Sequence, residues 1–201
     1  MSLTRVVIIA KAPIPGFAKT RLIPALGAEG AAQLARRMLE HAVQIALDAD
    51  VGPVEMCVTP EPNDPVWSAL GLPAALNWSA QCPGDLGARM GQAVQQTVDQ
   101  GERVLLTGTD CPTLTALHLR AAAAALDQHD AALTPTADGG YVLLGLKRFH
   151  PRLFDDMPWS TNAVAAETLS RLAQIGWSVH TQDRLHDIDE AADLRWLPAR
   201  F

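Results

Sequence analysis

The sequence predicts an α/β fold, a three-layer single domain in which helices cover both faces of a mostly parallel mixed sheet. Three observations point there. Short apolar runs alternate with amphipathic segments of helical period along the whole chain. The two strongest runs, Val6-Val-Ile-Ile-Ala10 and Arg103-Val-Leu-Leu-Thr107, are continuous rather than alternating, as in strands covered on both faces. Each is followed at once by a charged or glycine-containing loop, residues 11–22 and 107–113, where parallel α/β sheets bind their ligands.

The elements follow in order. After the strand at 6–10, a loop closed by Pro24 and Gly27 leads into a helix over 28–47. There Ala32, Leu34, Ala35, Met38, Leu39, Ala42, Val43, Ala46 and Leu47 recur at three- and four-residue spacing, with Arg36, Arg37 and Glu40 outside. A strand is expected at 54–58, a proline-punctuated turn at Pro60, Pro62 and Pro65, a short segment at 66–70 and a further strand at 74–78. The loop 79–84 opens a helix over 85–99, with Leu86, Met90, Ala93, Val94 and Val98 inward and Gly101 as its stop. Residues 103–107 form the second buried strand, and 115–126 the helix after it, with Thr115 as N-cap. Strands at 131–134 and 141–146 join across Ala137-Asp-Gly-Gly140. A helix over 162–175, a strand at 177–180 and a last helix near 190–197 complete the chain. No repeat or linker divides it, and 201 residues suit one core, so one domain over 1–201 is expected.

Composition narrows the ligand. Hydrophobic residues make up 48% and charged residues 19% of the chain, as in soluble globular proteins. The net charge is -6, yet the first 28 residues carry Arg5, Lys11, Lys19, Arg21 and no acid, leaving 12 bases against 22 acids elsewhere. Nucleic-acid binding needs a broad positive face, so an acidic protein with one basic loop suits a small anion instead. Cys57, Cys82 and Cys111 are odd in number and lack C-x-x-C spacing, which supports neither a disulfide framework nor zinc; a reducing cytoplasm is the expected location. The apolar run at 3–10 has strand length, so neither a signal peptide nor a membrane span is expected. Nothing in the sequence specifies an oligomeric state.

The basic loop gathers Lys11, Lys19 and Arg21 around Gly16 without the spacing of a P-loop or a G-x-G-x-x-G motif. Its prolines remove amide donors, so side chains and the amides near Gly16 are left to bind phosphate; the competing reading is a solvated surface loop. Asp110 stands at a strand end, where it either holds a divalent cation against phosphates or serves the turn before Pro112. In Gln81-Cys-Pro-Gly-Asp-Leu-Gly-Ala-Arg-Met90, Gly84 and Gly87 permit close backbone approach and Arg89 offers a cation, while Asp85 equally suits a helix cap. Asp138-Gly139-Gly140 either admits an acceptor or makes a tight turn. Trp159-Ser160-Thr161 precedes the next helix, with Ser160 or Thr161 as its expected cap. The six histidines have no ligand spacing, and His186 is expected behind the site or in solvent. No cysteine sits in an obvious activated setting; a helix entry at Cys111 favours a lowered pKa, but a nucleophilic role is not expected.

The ordered set Lys11-x-x-x-x-Gly16-x-x-Lys19-Thr20-Arg21-Leu22, Gly108-Thr109-Asp110-Cys111-Pro112, Asp138-Gly-Gly-Tyr141 and Asp187-Ile-Asp-Glu-Ala-Ala-Asp-Leu194 resembles the nucleotide-diphospho-sugar transferase superfamily. Within it, the chain is similar to small bacterial glycosyltransferase-like proteins related to 2-phospholactate guanylyltransferase and the molybdenum-cofactor nucleotidyltransferases. The resemblance implies a glycosyltransferase-A type fold, a nucleotide in the N-terminal half, and Mg²⁺ or Mn²⁺. Carried onto this chain, it implies nucleotide contacts at Ala10, Lys11, Gly16, Lys19, Thr20, Arg21, Gly84, Asp85, Arg89 and Thr109. It implies acceptor contacts at Asp138, Gly139, Gly140 and Trp159, catalytic roles for Lys19, Arg21 and Asp110, and metal ligation by Asp110 and Asp189. Asp189 competes with a capping role, and Asp187 is its possible substitute. The chain departs from the D-x-D of sugar transferases, having Gly108-Thr109-Asp110 with one carboxylate. The expected reaction is nucleotidyl transfer from a nucleoside triphosphate to a small phosphorylated or hydroxyl acceptor, releasing pyrophosphate. Glycosyl transfer from a nucleotide sugar and nucleotide binding without turnover are the alternatives.

Overall fold

A computed structural model describes residues 3–199 and 201. The apolar runs form β1 (Thr4–Lys11), β2 (Val54–Thr59), β3 (Asn77–Ala80), β4 (Arg103–Thr107), β5 (Ala131–Pro135), β6 (Tyr141–Leu146) and β7 (Val179–Thr181). They make one seven-stranded sheet in the order β3-β2-β1-β4-β6-β5-β7. Only β6 runs antiparallel to its neighbours, because the turn from β5 is too short for a crossover. The helices are α1 (Ile23–Ala49), α2 (Pro65–Ser68), α3 (Leu86–Asp99), α4 (Ala116–Ala125) and α5 (Val164–Gln174). This is the three-layer fold the alternation predicts.

The continuous apolar runs are explained by two cores. Val6 and Ile8 of β1 pack with α1 and α4, while Val7 packs with α3 and α5, and all three are fully buried. A third cluster joins Leu22, Ala31, Leu34 and Met38 to Ile188, with Leu194, Leu197 and Phe201 against it. It fastens the C-terminal segment beside the start of α1, and so beside the basic loop.

Several boundaries differ from expectation. α1 starts at Ile23, with Pro24 in a first turn that needs no amide there, and Gly27 (φ 71°, ψ 167°) breaks it before the regular helix. The strand expected at 74–78 lies at Asn77–Ala80, where pairing of Asn77 to Ala80 with Glu55 to Val58 sets an edge strand that no apolar alternation marks. The strand expected at 177–180 is Val179–Thr181, since Trp177 turns into the core and Ser178 bonds Asp130. α5 begins at Val164 with Ala163 at its N-cap; Thr161 Oγ1 accepts from the Ala163 amide at 3.3 Å and shapes the turn before it, so neither Ser160 nor Thr161 is the cap. The last helix is a 3₁₀ helix, Ala191–Trp196. Its N-cap is Glu190, and the Asp193 carboxylate accepts from the Glu190 and Asp189 amides at 2.8 and 3.1 Å. Asp189 is therefore not the cap, which leaves its carboxylate for another partner. Among the described residues no helix is long and apolar enough to cross a membrane.

Candidate active site

A cleft of about 550 Å³ opens where β1 and β4 end and β6 begins, closed on one side by the C-terminal segment. The strand ends are rigid because β1 and β4 pair in register from Thr4 with Arg103 to Ile8 with Thr107. The loops beyond them carry the charge. Lys19 adopts a left-handed conformation (φ 49°, ψ 42°) at the head of a 3₁₀ helix, Thr20–Leu22. A non-glycine residue held there costs about 1 kcal/mol or more, and such strain gathers at functional positions.

The Lys19 ammonium lies 2.7 Å from Asp110 Oδ1, 2.7 Å from Asp189 Oδ1 and 2.6 Å from the Ile188 carbonyl oxygen. The Ile188 amide in turn donates to the Asp110 carbonyl at 2.8 Å. The basic loop, the strand-end loop and the C-terminal segment thus meet at one buried cation. Lys19 is only 8% exposed, whereas the carboxylates of Asp110 and Asp189 are 48% and 40% exposed. Oδ2 of each accepts no hydrogen bond from the described residues. Burial disfavours the ammonium, but the charges of Asp110 and Asp189 and their hydrogen bonds outweigh it and hold the Lys19 pKa above the ordinary lysine value.

Acid is in excess around this cation. Burial, with the neighbouring charges of Asp138, Asp189 and Asp110, pushes the Asp187 carboxyl up to about 6. The loop that carries no acid in sequence is therefore faced by four carboxylates in space. Positive charge remains at the rim, where Lys11 sits 3.8 Å over the Phe17 ring, Arg89 Nε donates to the Gly84 carbonyl at 3.1 Å, and Arg21 is exposed. Among the described residues none of these three is in an ion pair.

Of the candidates from sequence, Ala10, Lys11, Lys19, Thr20, Arg21, Arg89, Thr109, Asp110, Asp138, Gly140, Trp159 and Asp189 line the cleft, as does Asp187. Gly16, Gly84, Asp85 and Gly139 do not. Asp85 is spent as the N-cap of α3, accepting from the Ala88 amide at 2.8 Å. Gly139 serves packing, since a Cβ there would come 2.1 Å from the Asn162 carbonyl oxygen. The amides just after Gly16 are also spent, as Phe17 and Ala18 both donate to the Ile14 carbonyl. Asp138 lines the cleft, and its Oδ1 accepts from Thr136 Oγ1 at 2.5 Å and the Gly140 amide at 2.9 Å, the bonds of a tight turn. Burial raises the Cys111 thiol pKa and outweighs the lowering that a helix entry favours. His186 stacks on Trp196 with ring centres 4.1 Å apart.

Three contacts at the cleft are set by tertiary structure and are not expected from sequence. Gln81 donates both amide hydrogens, to the Ala10 carbonyl at 2.9 Å and the Cys57 carbonyl at 3.0 Å, and so braces the ends of β1 and β2. Tyr141 and Trp159 meet edge to face at 6.5 Å, and the Tyr141 hydroxyl and Trp159 Nε1 are buried without a partner among the described residues. The shape around Trp159 depends on Gly87, where a Cβ would come 2.7 Å from Nε1 and 2.4 Å from the Phe154 carbonyl oxygen.

The donor set fits a hard divalent cation, because two half-exposed carboxylates and a backbone carbonyl already converge on a positive group. Among the described residues no three His, Cys, Asp or Glu side chains complete a cage. A cation on Asp110 and Asp189 would take its other ligands from phosphate and water, as Mg²⁺ ordinarily does.

The chain is similar to known proteins in sequence family and in fold. Residues 30–161 match the family model described as "Uncharacterized protein conserved in bacteria (DUF2064)", a span that includes Arg89, Asp110 and Trp159. No curated protein matches the chain in sequence. A solved structure from Desulfovibrio desulfuricans G20, provisionally named a nucleotide-diphospho-sugar transferase, is 31% identical with a TM-score of 0.90, covering 100% of this chain and 88% of that one. CMP:2-keto-3-deoxy-manno-octonic acid synthetase, solved with CTP, superposes with a TM-score of 0.60 at 11% identity over 97% of this chain and 96% of that one. Rv0371C from Mycobacterium tuberculosis, solved with manganese, gives 0.58 at 15% identity over 98% of both chains. The fold is that of the nucleotide-diphospho-sugar transferases, as the motif order implies.

Proposed function

We propose, since the chain belongs to the DUF2064 family of proteins conserved in bacteria, that it is a metal-dependent nucleotidyltransferase. It takes a nucleoside triphosphate and a small phosphorylated or hydroxyl acceptor and releases pyrophosphate. The observation that carries this reading is the pairing of Asp110 and Asp189 on one buried cation, beneath a rim where Lys11, Arg21 and Arg89 have no anionic partner among the described residues. Negative floor and positive rim suit a polyphosphate that arrives with its own cation.

Asp110 and Asp189 would hold Mg²⁺ or Mn²⁺, and the ion would supply neutralisation of charge on the phosphates. The acceptor oxygen bonds to the α-phosphorus as the bond from that phosphorus to the bridging oxygen breaks, in line, and pyrophosphate leaves with the electron pair. Lys11 and Arg21 neutralise the leaving group, and Arg89 holds the donor from the α3 side. Trp159, Tyr141 and Asp138 bound the side of the cleft left to the acceptor. A phosphate acceptor brings a deprotonated oxygen, so no covalent enzyme intermediate and no general base are required. The chain's three free thiols suit a reducing cytoplasm.

The CTP complex of the octonic acid synthetase supports a triphosphate donor, and the manganese complex of Rv0371C supports a divalent cation. The name of the Desulfovibrio protein favours a second reading, glycosyl transfer from a nucleotide sugar. The single strand-end carboxylate weighs against it. Products separate the two: pyrophosphate from a triphosphate, a nucleoside diphosphate from a sugar donor. A thermal-shift screen of nucleoside triphosphates and nucleotide sugars, with and without Mg²⁺ or Mn²⁺, tests the reading, because a ligand at 100 times its Kd stabilises by about 2.7 kcal/mol. Stabilisation by a triphosphate only with metal is expected. Absence of any nucleotide effect, or an Asp110→Ala protein that responds like wild type, sinks it.

A further inference from the structure

A lysine meant only for phosphate has no reason to be buried against two carboxylates. Lys19 is 8% exposed, and all three of its contacts are to oxygens that suit a divalent cation: Asp110 Oδ1, Asp189 Oδ1 and the Ile188 carbonyl. Its ammonium stands where the cation would sit. With a divalent ion on both carboxylates, two positive centres would lie within a few ångströms of each other, which Coulomb repulsion disfavours. The cradle has room for one.

Neither partner explains the arrangement as a merely structural ion pair. Oδ2 of Asp110 and of Asp189 accepts no hydrogen bond from the described residues, and both carboxylates stay near half exposed, so they are approachable from the cleft. The left-handed backbone at Lys19 aims its stem across to the C-terminal segment, away from its exposed neighbours Thr20 and Arg21. Four rotatable bonds allow the ammonium to leave without moving that backbone.

We propose that Lys19 is a built-in counter-ion that occupies the cation cradle in the empty protein and is displaced into the cleft when a divalent cation arrives. The inference rests on the nucleotide-and-metal reading of the cleft. It adds an order of events: the cation that binds with the donor frees a fourth positive charge for the donor's phosphates. Cation and nucleotide then reinforce each other's binding, because each favours the state in which Lys19 has moved.

The test is a titration of the full, nucleotide-free chain with Mn²⁺, read as loss of the free-ion resonance signal, for wild type, Lys19→Met and Lys19→Gln. Lys19→Gln keeps a hydrogen-bond donor of similar reach without the charge. Both variants are expected to bind Mn²⁺ at least tenfold more tightly than wild type, and Asp110→Asn added to Lys19→Met is expected to abolish the gain. A variant that melts early in chelator must be restored by Mn²⁺. Equal or weaker Mn²⁺ binding in both variants, no binding in any of the proteins, or a destabilised variant that Mn²⁺ does not restore would overturn the counter-ion role. Because the titration contains no nucleotide, such a result leaves the transfer reaction to its own test: triphosphate stabilisation of wild type by metal can persist without it.

Discussion

The two ends of β1 carry the same charge arithmetic, one cation between two carboxylates, and opposite consequences. At the strand start, Arg5 Nε lies 2.6 Å from Glu102 and its NH1 lies 3.1 Å from Glu55, and the three side chains are 12%, 15% and 15% exposed. All four carboxylate oxygens there accept a bond, Glu102 both of its from Arg5 and Glu55 one from Arg5 and one from Ser79 Oγ. Beyond the strand end, Lys19 is as well buried, but Asp110 and Asp189 each keep Oδ2 open and a large part of the side chain in the cleft. A charged triad whose acceptors are all satisfied holds strands together. One with acceptors to spare invites a ligand.

Substitutions that break the two triads should separate the two roles. The largest effect is expected from Asp110→Asn, which should lower turnover by roughly a thousandfold in a pyrophosphate-release assay, the range seen when a charge-stabilising group is lost. Its melting temperature should change little, because Lys19 retains Asp189. Arg5→Met should do the reverse. Leaving two glutamates without their cation in a partly enclosed site costs about 2 kcal/mol, between the exposed and buried limits. For a chain of this size that lowers the melting temperature by roughly 4 to 8 °C. The metal-dependent stabilisation by nucleotide should be untouched, and its loss would show that the strand-start triad is not purely structural.

The acid excess around Lys19 gives the smallest effect. In the folded chain the Asp187 carboxyl sits at about 6, against 3.8 for the free side chain, so folding favours its neutral form. Its contribution is least unfavourable below pH about 4, and stability is lost as the pH rises from there to about 6. Asp187→Asn cannot ionise, so in chelator it should be more stable than wild type at pH 7 to 8 by about 1 kcal/mol, allowing for the solvent exposure of the group. The difference should vanish near pH 4. Melting curves across that range check it, and a constant offset at every pH would mean that packing, not charge, is responsible.

How far the sequence carries differs between the same two ends. The double-sided strands at 6–10 and 103–107 and the inner faces of α1 and α3 are legible because burial imposes a pattern on neighbouring residues. Asp110 is legible because a strand end followed by Cys111-Pro112 places it. The ion triads are not, since Lys19 and Asp189 stand 170 positions apart and meet only through the small core around Leu22 and Ile188. The exhausted amides after Gly16 and the bracing by Gln81 are likewise products of loop geometry. β3 and β7 shift from their expected places because pairing at a sheet edge, not apolar periodicity, sets their limits.

The most direct measurement is anomalous scattering from Mn²⁺ in crystals grown with the metal and a non-hydrolysable nucleoside triphosphate. One peak bound by both Asp110 and Asp189, with phosphate oxygens completing its shell and Lys19 withdrawn from the two carboxylates, is the predicted result. Lys19 still bridging Asp110 and Asp189, with manganese elsewhere or absent although nucleotide fills the cleft, would contradict it.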